Sequence, residues 1–313
     1  MATILITGGT GLIGTALTKE LLNKDYNVII LTRSPEKYSN TSGLSYAGWD
    51  IEKQIIDKDA ITKSDYIIHL AGAGVADKRW TTKRKNEIFE SRTKSSELIV
   101  KSLKEITNNV KAVISASGIG WYGSLSITLP AGKGTEKYPF IETDPPAEDF
   151  LGTTCQAWEA SIDPVVSLGK RLVKFRTGVV ISKEGGALKE FRKPLRFGLA
   201  TILGNGKQVM SWIHIDDLVR LYIYSIENEK MQGVYNAVAP LPLTNKKLIL
   251  QLARCIRGKF FVPIFVPSFI LDIVLGEMSI EVLKSATVTC EKIKKEGYSF
   301  LYPSFKAACK AIL

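Results

Sequence analysis

Apolar positions along the chain follow two regimes. In the first half, short apolar runs at 3–7, 27–32, 65–71, 111–117 and 171–181 alternate with segments of helical period at 12–24, 81–106 and 147–168. Short β runs separated by helices predict βαβ units, and therefore a parallel sheet covered by helices on both faces. From about 182 the alternation loosens into segments punctuated by Gly and Pro, and 244–313 reads as mostly helical. The pattern thus predicts an α/β fold, a doubly wound parallel sheet with a smaller, mostly helical C-terminal lobe. The division expected is a sheet domain over 1–240, with parts of 182–215 contributing to the second lobe, and a small domain over 241–313. The run FFVPIFVPSFILDIVL at 260–275 is broken by Pro263, Pro267 and Asp272. It is too short for the ~20 residues that cross a bilayer, and it is expected to be buried loop and core helix.

Composition narrows the classes. Of 313 residues, 45% are hydrophobic and 23% charged, as in a globular chain that buries a large core. The apolar residues begin at once, without a basic leader or cleavage site, so a cytoplasmic protein with no membrane partner is expected. Cys155, Cys255, Cys290 and Cys309 lack metal-ligand spacing, and His69 and His214 are the two histidines. No metal site is expected. The net charge of +11 lies in short clusters, KRWTTKRK, KEFRKPLRF and CEKIKK, without a basic tail or a nucleic-acid motif. No nucleic-acid partner is therefore expected, although a field of this sign favours anionic small ligands. A monomer and a homodimer both remain open.

The most informative stretch is ITGGTGLIGTAL, where Gly8, Gly11 and Gly14 are spaced G-x-x-G-x-x-G between the first strand and the first helix. In such a unit one glycine permits the tight turn, the next admits a pyrophosphate against the backbone, and the third lets helix and sheet pack closely. Gly8, Thr10, Gly11, Leu12 and Ile13 are the expected phosphate cradle of a Rossmann dinucleotide fold. The end of the second strand selects the dinucleotide. An acidic residue there would bond the ribose hydroxyls of NAD, but the chain reads LTRSP, with Thr32 and Arg33. An arginine fork grips a 2′-phosphate, so NADP(H) is expected.

Together, ITGGTGLIG, IIHLAGA, VISASGIGWYG and SWIHIDDL resemble the extended short-chain dehydrogenase/reductase superfamily. More narrowly, HLAGAGVADKRWTTKRKNEIFESRTKSSELI, DFLGTTCQAWEA and GVVISKEGGAL resemble its atypical epimerase-family branch, whose small C-terminal domain is similar to the stretch from VPSFILDIVL onward. The resemblance implies further cofactor contacts from Leu70, Ala71 and Gly72, from Arg92 with Glu87 on the same helix, and from Ile181 at the nicotinamide end. For Glu87 and Arg92, a plain surface role stays open.

Chemistry is where the sequence departs from its relatives. Ordinary members use a serine with Tyr-x-x-x-Lys, the ammonium lowering the phenol pKa. Ser117 matches the serine, whereas FLGTTCQAWEAS places Cys155 at the tyrosine position and Glu159 at the lysine position. Three accounts follow. Tyr122 in GWYG serves as the acid beside Ser117, or Glu159 or Glu142 acts as a carboxylate acid/base, or the reaction has been lost. Trp121 and Trp158 are read as pocket walls, and His214, beside Asp216, as a hydrogen-bonded structural residue. The expected function is an NADP(H)-binding oxidoreductase or epimerase-like enzyme of unknown substrate; the alternative is a catalytically silent NADP-responsive sensor or partner-binding protein.

Overall fold

The computed structural model describes residues 1–124 and 139–312. In chain order the elements are β1 (Thr3–Thr7), α1 (Leu12–Asn23), β2 (Asn27–Thr32), β3 (Leu44–Asp50), β4 (Ile55–Ile56), α2 (Lys58–Thr62), β5 (Tyr66–His69), α3 (Thr82–Glu105) and β6 (Ala112–Gly118). There follow α4 (Phe150–Ile162), β7 (Arg171–Thr177), β8 (Val179–Ile181), α5 (Ala187–Leu195), β9 (Leu199–Leu203), β10 (Val209–Met210), β11 (Trp212–His214), α6 (Ile215–Glu227) and β12 (Gly233–Ala237). The chain closes with β13 (Leu243–Thr244), α7 (Asn245–Arg257), β14 (Val262–Val266), α8 (Ser268–Leu275), α9 (Met278–Leu283), α10 (Glu291–Lys295) and α11 (Phe305–Ala311).

The main sheet has the order β12-β7-β6-β5-β1-β2-β3-β4, with every pair parallel except β3–β4. The chain winds one way from β1 through β2 to β3, then crosses back to β5. The reversal leaves a crevice outside the carboxyl ends of β1 and β5, the place where open α/β sheets take ligands. Register brings Thr7 level with Leu31 on one side and His69 on the other, so the glycine turn, Arg33 and Leu70 all emerge at one edge. Near-continuous apolar runs such as Ile4-Leu5-Ile6 are buried because helices cover both faces. Ile4 and Ile6 join α1, α6 and the 286–298 segment, and Leu5 faces α3. A separate core in the C-terminal lobe unites Ile181, Leu188, Ala200 and Trp212 with α7 and α11.

The predicted doubly wound parallel sheet with a smaller helical lobe is the fold observed. One strand was not foreseen, and one local reading is corrected. The stretch LSYAGWD, too mixed in polarity to stand out, forms β3 because β2 offers it a partner edge. The 260–275 run is not a buried core helix. It forms β14 and α8, and only Leu271 of α8 is buried, since the neighbouring elements cover one face and leave the rest to solvent. Among the described residues no helix is long and apolar enough to cross a membrane.

Candidate functional site

At the end of β1 the chain turns on Gly8, whose φ of 70° lies in the left-handed region that glycine tolerates. Gly11 N–H closes the turn on the Gly8 carbonyl at 3.1 Å, and Gly11 then begins α1 with no side-chain cap. The helix therefore presents unsatisfied N–H groups and the positive end of its dipole at this edge. A Cβ on Gly14 would overlap the Gly8 carbonyl oxygen and come within 2.5 Å of Gly9 Cα, so Gly14 is where helix and turn touch. A Cβ on Gly11 would meet only the Gly8 carbonyl oxygen, at 3.3 Å, and Gly11 and Thr10 are exposed. The space over Gly11 is thus open, with backbone donors behind it. This is a cradle that fits a pyrophosphate.

A buried network locks that turn to the next strand. Thr7 Oγ1 accepts the N–H groups of Leu70 at 3.1 Å and Ala71 at 3.2 Å, and lies 2.7 Å from His69 Nδ1. With both backbone donors aimed at it, the Thr7 hydroxyl gives its proton to His69 Nδ1, so Nε2 carries the ring hydrogen toward Ser96 at 3.1 Å. His69 is neutral, and burial pushes its pKa down to about 4. A depressed base pKa means that the unfolded chain takes up the proton first. Its contribution to stability is accordingly complete above about pH 6.5 and is lost as pH falls toward 4, by up to about 1.4 kcal/mol per pH unit. Imidazole NMR shifts should stay flat for His69 down to about pH 5, with a falling urea midpoint; ordinary titration near pH 6.5 would overturn this assignment.

The remaining expected contacts are distributed unevenly along this edge. Arg33 stands just beyond β2, exposed and with no ion pair among the described residues. Thr32 Oγ1 accepts the Ser34 N–H at 3.4 Å and shapes that loop. Leu70, Ala71 and Gly72 pass directly opposite the turn, since a Cβ on Gly8 would lie 2.9 Å from the Leu70 carbonyl carbon. Arg92 is buried against Gly72. It donates to the carbonyls of Ala73 at 3.0 Å and Ile88 at 2.8 Å, and its guanidinium lies over the Trp158 ring. Glu87 does not join it, its exposed carboxylate pairing instead with the buried Arg84 at 2.7 Å. The Ile181 side chain is buried in the C-terminal lobe, and its backbone pairs with Gly186. Leu12 and Ile13 lie half-buried at the start of α1, and a Cβ on Gly185 would touch Leu12 at 3.4 Å, so the 182–186 loop borders the cradle.

The catalytic candidates meet in a buried charged cluster. Ser117, at the end of β6, donates to Glu159 Oε1 at 2.8 Å. Arg176 on β7 grips the same carboxylate through Nε at 2.8 Å and Nη2 at 3.1 Å, and stacks on Trp121 with 3.5 Å between guanidinium and ring centre. Lys174 lies 3.6 Å from Glu159 and 2.5 Å from Asp163. Two cations of β7 thus surround this carboxylate. The Cys155 thiol, pushed up to about 11 by burial, is a poor nucleophile that touches the Gly118 carbonyl. Tyr122 is placed otherwise than the sequence suggested. Its ring is fully buried and stacked on Phe140, and its hydroxyl donates to Asn236 Oδ1 at 2.7 Å while accepting from Arg176 at 3.1 Å. No open face is left for a substrate, and desolvation raises the phenol to about 12. Glu142 accepts from Asn236 N–H at 2.9 Å and is a structural acceptor here. His214 is itself the cap of α6, accepting the Asp216 N–H, where the sequence suggested that Asp216 would cap. Thr7, Arg176 and Asn236 carried no local sequence signal, because their partners lie on distant elements.

Comparison with known proteins follows the same lines. Residues 4–149 match the model of the NAD dependent epimerase/dehydratase family, and 266–312 match a domain of unknown function, DUF1731. An epimerase family protein of Staphylococcus haemolyticus is 34% identical over 314 residues, covering 100% of this chain and 99% of its own. One from Staphylococcus aureus is 32% identical, with the same coverage. Among solved structures, the human epimerase family protein SDR39U1 with NADPH superposes with a TM-score of 0.83 at 28% identity, over 99% of this chain and 98% of that one. The UDP-glucuronic acid 4-epimerase of Bacillus cereus, in complex with UDP-glucuronic acid and NAD, shares the fold with a TM-score of 0.78 at 20% identity, over 99% and 97%.

Proposed function

Because the chain belongs to the epimerase family, we propose that it binds NADP(H) in the crevice at the carboxyl ends of β1 and β5, and acts there as an oxidoreductase or epimerase-like enzyme. The observation that carries this reading is the open cradle over Gly11, with the unpaired Arg33 at the same edge of the sheet. The NADPH of the human relative supports the choice of dinucleotide. When bound, the nicotinamide supplies or accepts a hydride. The chain's part is to hold the phosphates on the α1 backbone, grip the 2′-phosphate with Arg33, and manage the proton.

Without Tyr-x-x-x-Lys, the proton falls to Ser117, whose hydroxyl already donates to the Arg176-paired Glu159. That arrangement accepts a proton from a substrate hydroxyl more readily than it donates one.

Wild-type protein should bind NADPH at least about tenfold more tightly than NADH in fluorescence titrations, and Arg33→Ala should remove most of the difference. Equal affinity of the wild type for both would reverse the assignment. For the chemistry, Ser117→Ala should lower turnover by about 10²-fold with NADPH affinity intact. Tyr122→Phe should leave turnover nearly unchanged while lowering the melting temperature, because a buried acceptor and donor lose their partner, at about 1–3 kcal/mol. The reverse pattern would restore Tyr122 as the acid. Bound NADPH with no turnover across a panel of carbonyls and nucleotide sugars would sink the enzyme reading.

A further inference from the structure

The C-terminal lobe leaves open an apolar surface that the dinucleotide site does not use. Phe197 and Phe260 are each 83% exposed. Their backbones adjoin, because Val262 N–H donates to the Gly198 carbonyl at 2.8 Å and a Cβ on Gly198 would lie 3.9 Å from the Phe260 carbonyl oxygen. Val262 and Ile264, on one face of β14, and Phe269 and Ile273, one turn apart on the α8 that follows it, are exposed as well. An exposed phenylalanine presents about 150–250 Å², so this face reaches or exceeds the roughly 300–600 Å² of the largest apolar patch on an ordinary monomer.

Its rim is cationic. Arg196, at the end of α5, Arg254 and Arg257, at the end of α7, and Lys259 are exposed, and none is ion-paired among the described residues. Glu190, on α5, is already held by Lys193 at 2.7 Å. A Cβ on Gly198 would lie 3.8 Å from the Arg257 guanidinium, which puts that charge directly beside the two rings. The exposed Asp272 is the carboxylate that α8 adds to the surface.

These features choose among occupants. A second copy would bring the same cations against these, and like charges oppose such a symmetric contact. Strand addition is also obstructed. Val262 and Val266 turn their polar groups toward β9, so by the two-residue period of a strand Pro263 and Phe265 face the free edge. Pro263 has no N–H to offer there. What remains is a surface that accepts protruding rings without a pocket and carries negative charge.

We propose that this face rests on a bilayer surface containing anionic phospholipid, with Phe197 and Phe260 entering the headgroup region and the arginines and Lys259 holding phosphates. Contact is peripheral, so the absence of a membrane-crossing helix among the described residues does not bear on it, and the proposal goes beyond the sequence-based expectation of no membrane partner. The assignment is independent of the dinucleotide reading.

The test is sedimentation of the full-length protein with vesicles of phosphatidylcholine alone and of phosphatidylcholine with phosphatidylglycerol. Binding should appear with phosphatidylglycerol, weaken with added salt, and stay slight on the neutral vesicles. Phe197→Ser with Phe260→Ser should lower the partition coefficient by about tenfold per ring. Arg257→Glu with Lys259→Glu should abolish the preference for phosphatidylglycerol, and a Phe197→Trp probe should shift its emission to the blue on binding. Absence of binding, or binding that ignores the two phenylalanines, would overturn the proposal. So would a concentration-dependent dimer in light scattering that the double serine variant dissolves, since the face would then be an interface between copies.

Discussion

Gly11→Val is expected to abolish NADPH binding while leaving the protein folded, and Gly14→Ala to damage the fold itself. The two glycines sit three residues apart in one motif, yet their surroundings differ. An added Cβ on Gly11 meets only the Gly8 carbonyl oxygen, at 3.3 Å, and points into open space. A valine there keeps β1 and α1 in place and fills the volume proposed for the pyrophosphate. On Gly14 the same atom overlaps the Gly8 carbonyl and sits 2.5 Å from Gly9 Cα, backbone that cannot yield without moving α1 off the sheet. Overpacking of this kind typically costs about 1–3 kcal/mol, and more where only backbone can move. Circular dichroism melts and NADPH titration separate the two outcomes. A Gly11→Val protein that binds NADPH like the wild type would remove the phosphate-cradle assignment.

Glu159→Gln is expected to destabilise the protein by about 3–5 kcal/mol, because it leaves Arg176 buried without its counter-ion. The Arg176 and Glu159 side chains are 3% and 5% exposed, so solvent cannot take over the charge. Arg176 would keep contacts with Trp121, Tyr122 and the Glu142 carbonyl, none of which is anionic. Glu159→Lys, the residue that the resemblance would lead one to expect at this position, should be worse still. It would bring a third cation beside Arg176 and Lys174 in a dry cluster. Urea denaturation of the variants measures both effects, and a stability loss below about 1 kcal/mol for Glu159→Gln would mean the pair is solvated. Glu159 is matched to two cations on β7, so the residue cannot be exchanged without changing the charge balance of the whole cluster.

The split between what could be read and what could not follows sequence distance. The amino-acid sequence alone determined the β1–turn–α1–β2 unit, the place of Arg33 past β2, and the alternation that makes the sheet parallel. These depend on glycine spacing and on apolar periods within about 30 residues, where backbone sterics and one-sided burial act locally. It also pointed to Cys155 and Glu159 as the residues of α4 to examine. Only the tertiary structure decided which distant side chains meet. Thr7 meets His69 across 62 residues, Arg176 on β7 reaches Glu159 on α4, and Asn236 takes the Tyr122 hydroxyl across 114 residues. Each of these needs parallel strands brought level by register, which no local pattern encodes. The same reason explains the error at 260–275. Hydropathy reports how strongly a side chain avoids water, while burial also requires a neighbour to cover it, and β14 and α8 have a neighbour on one face only.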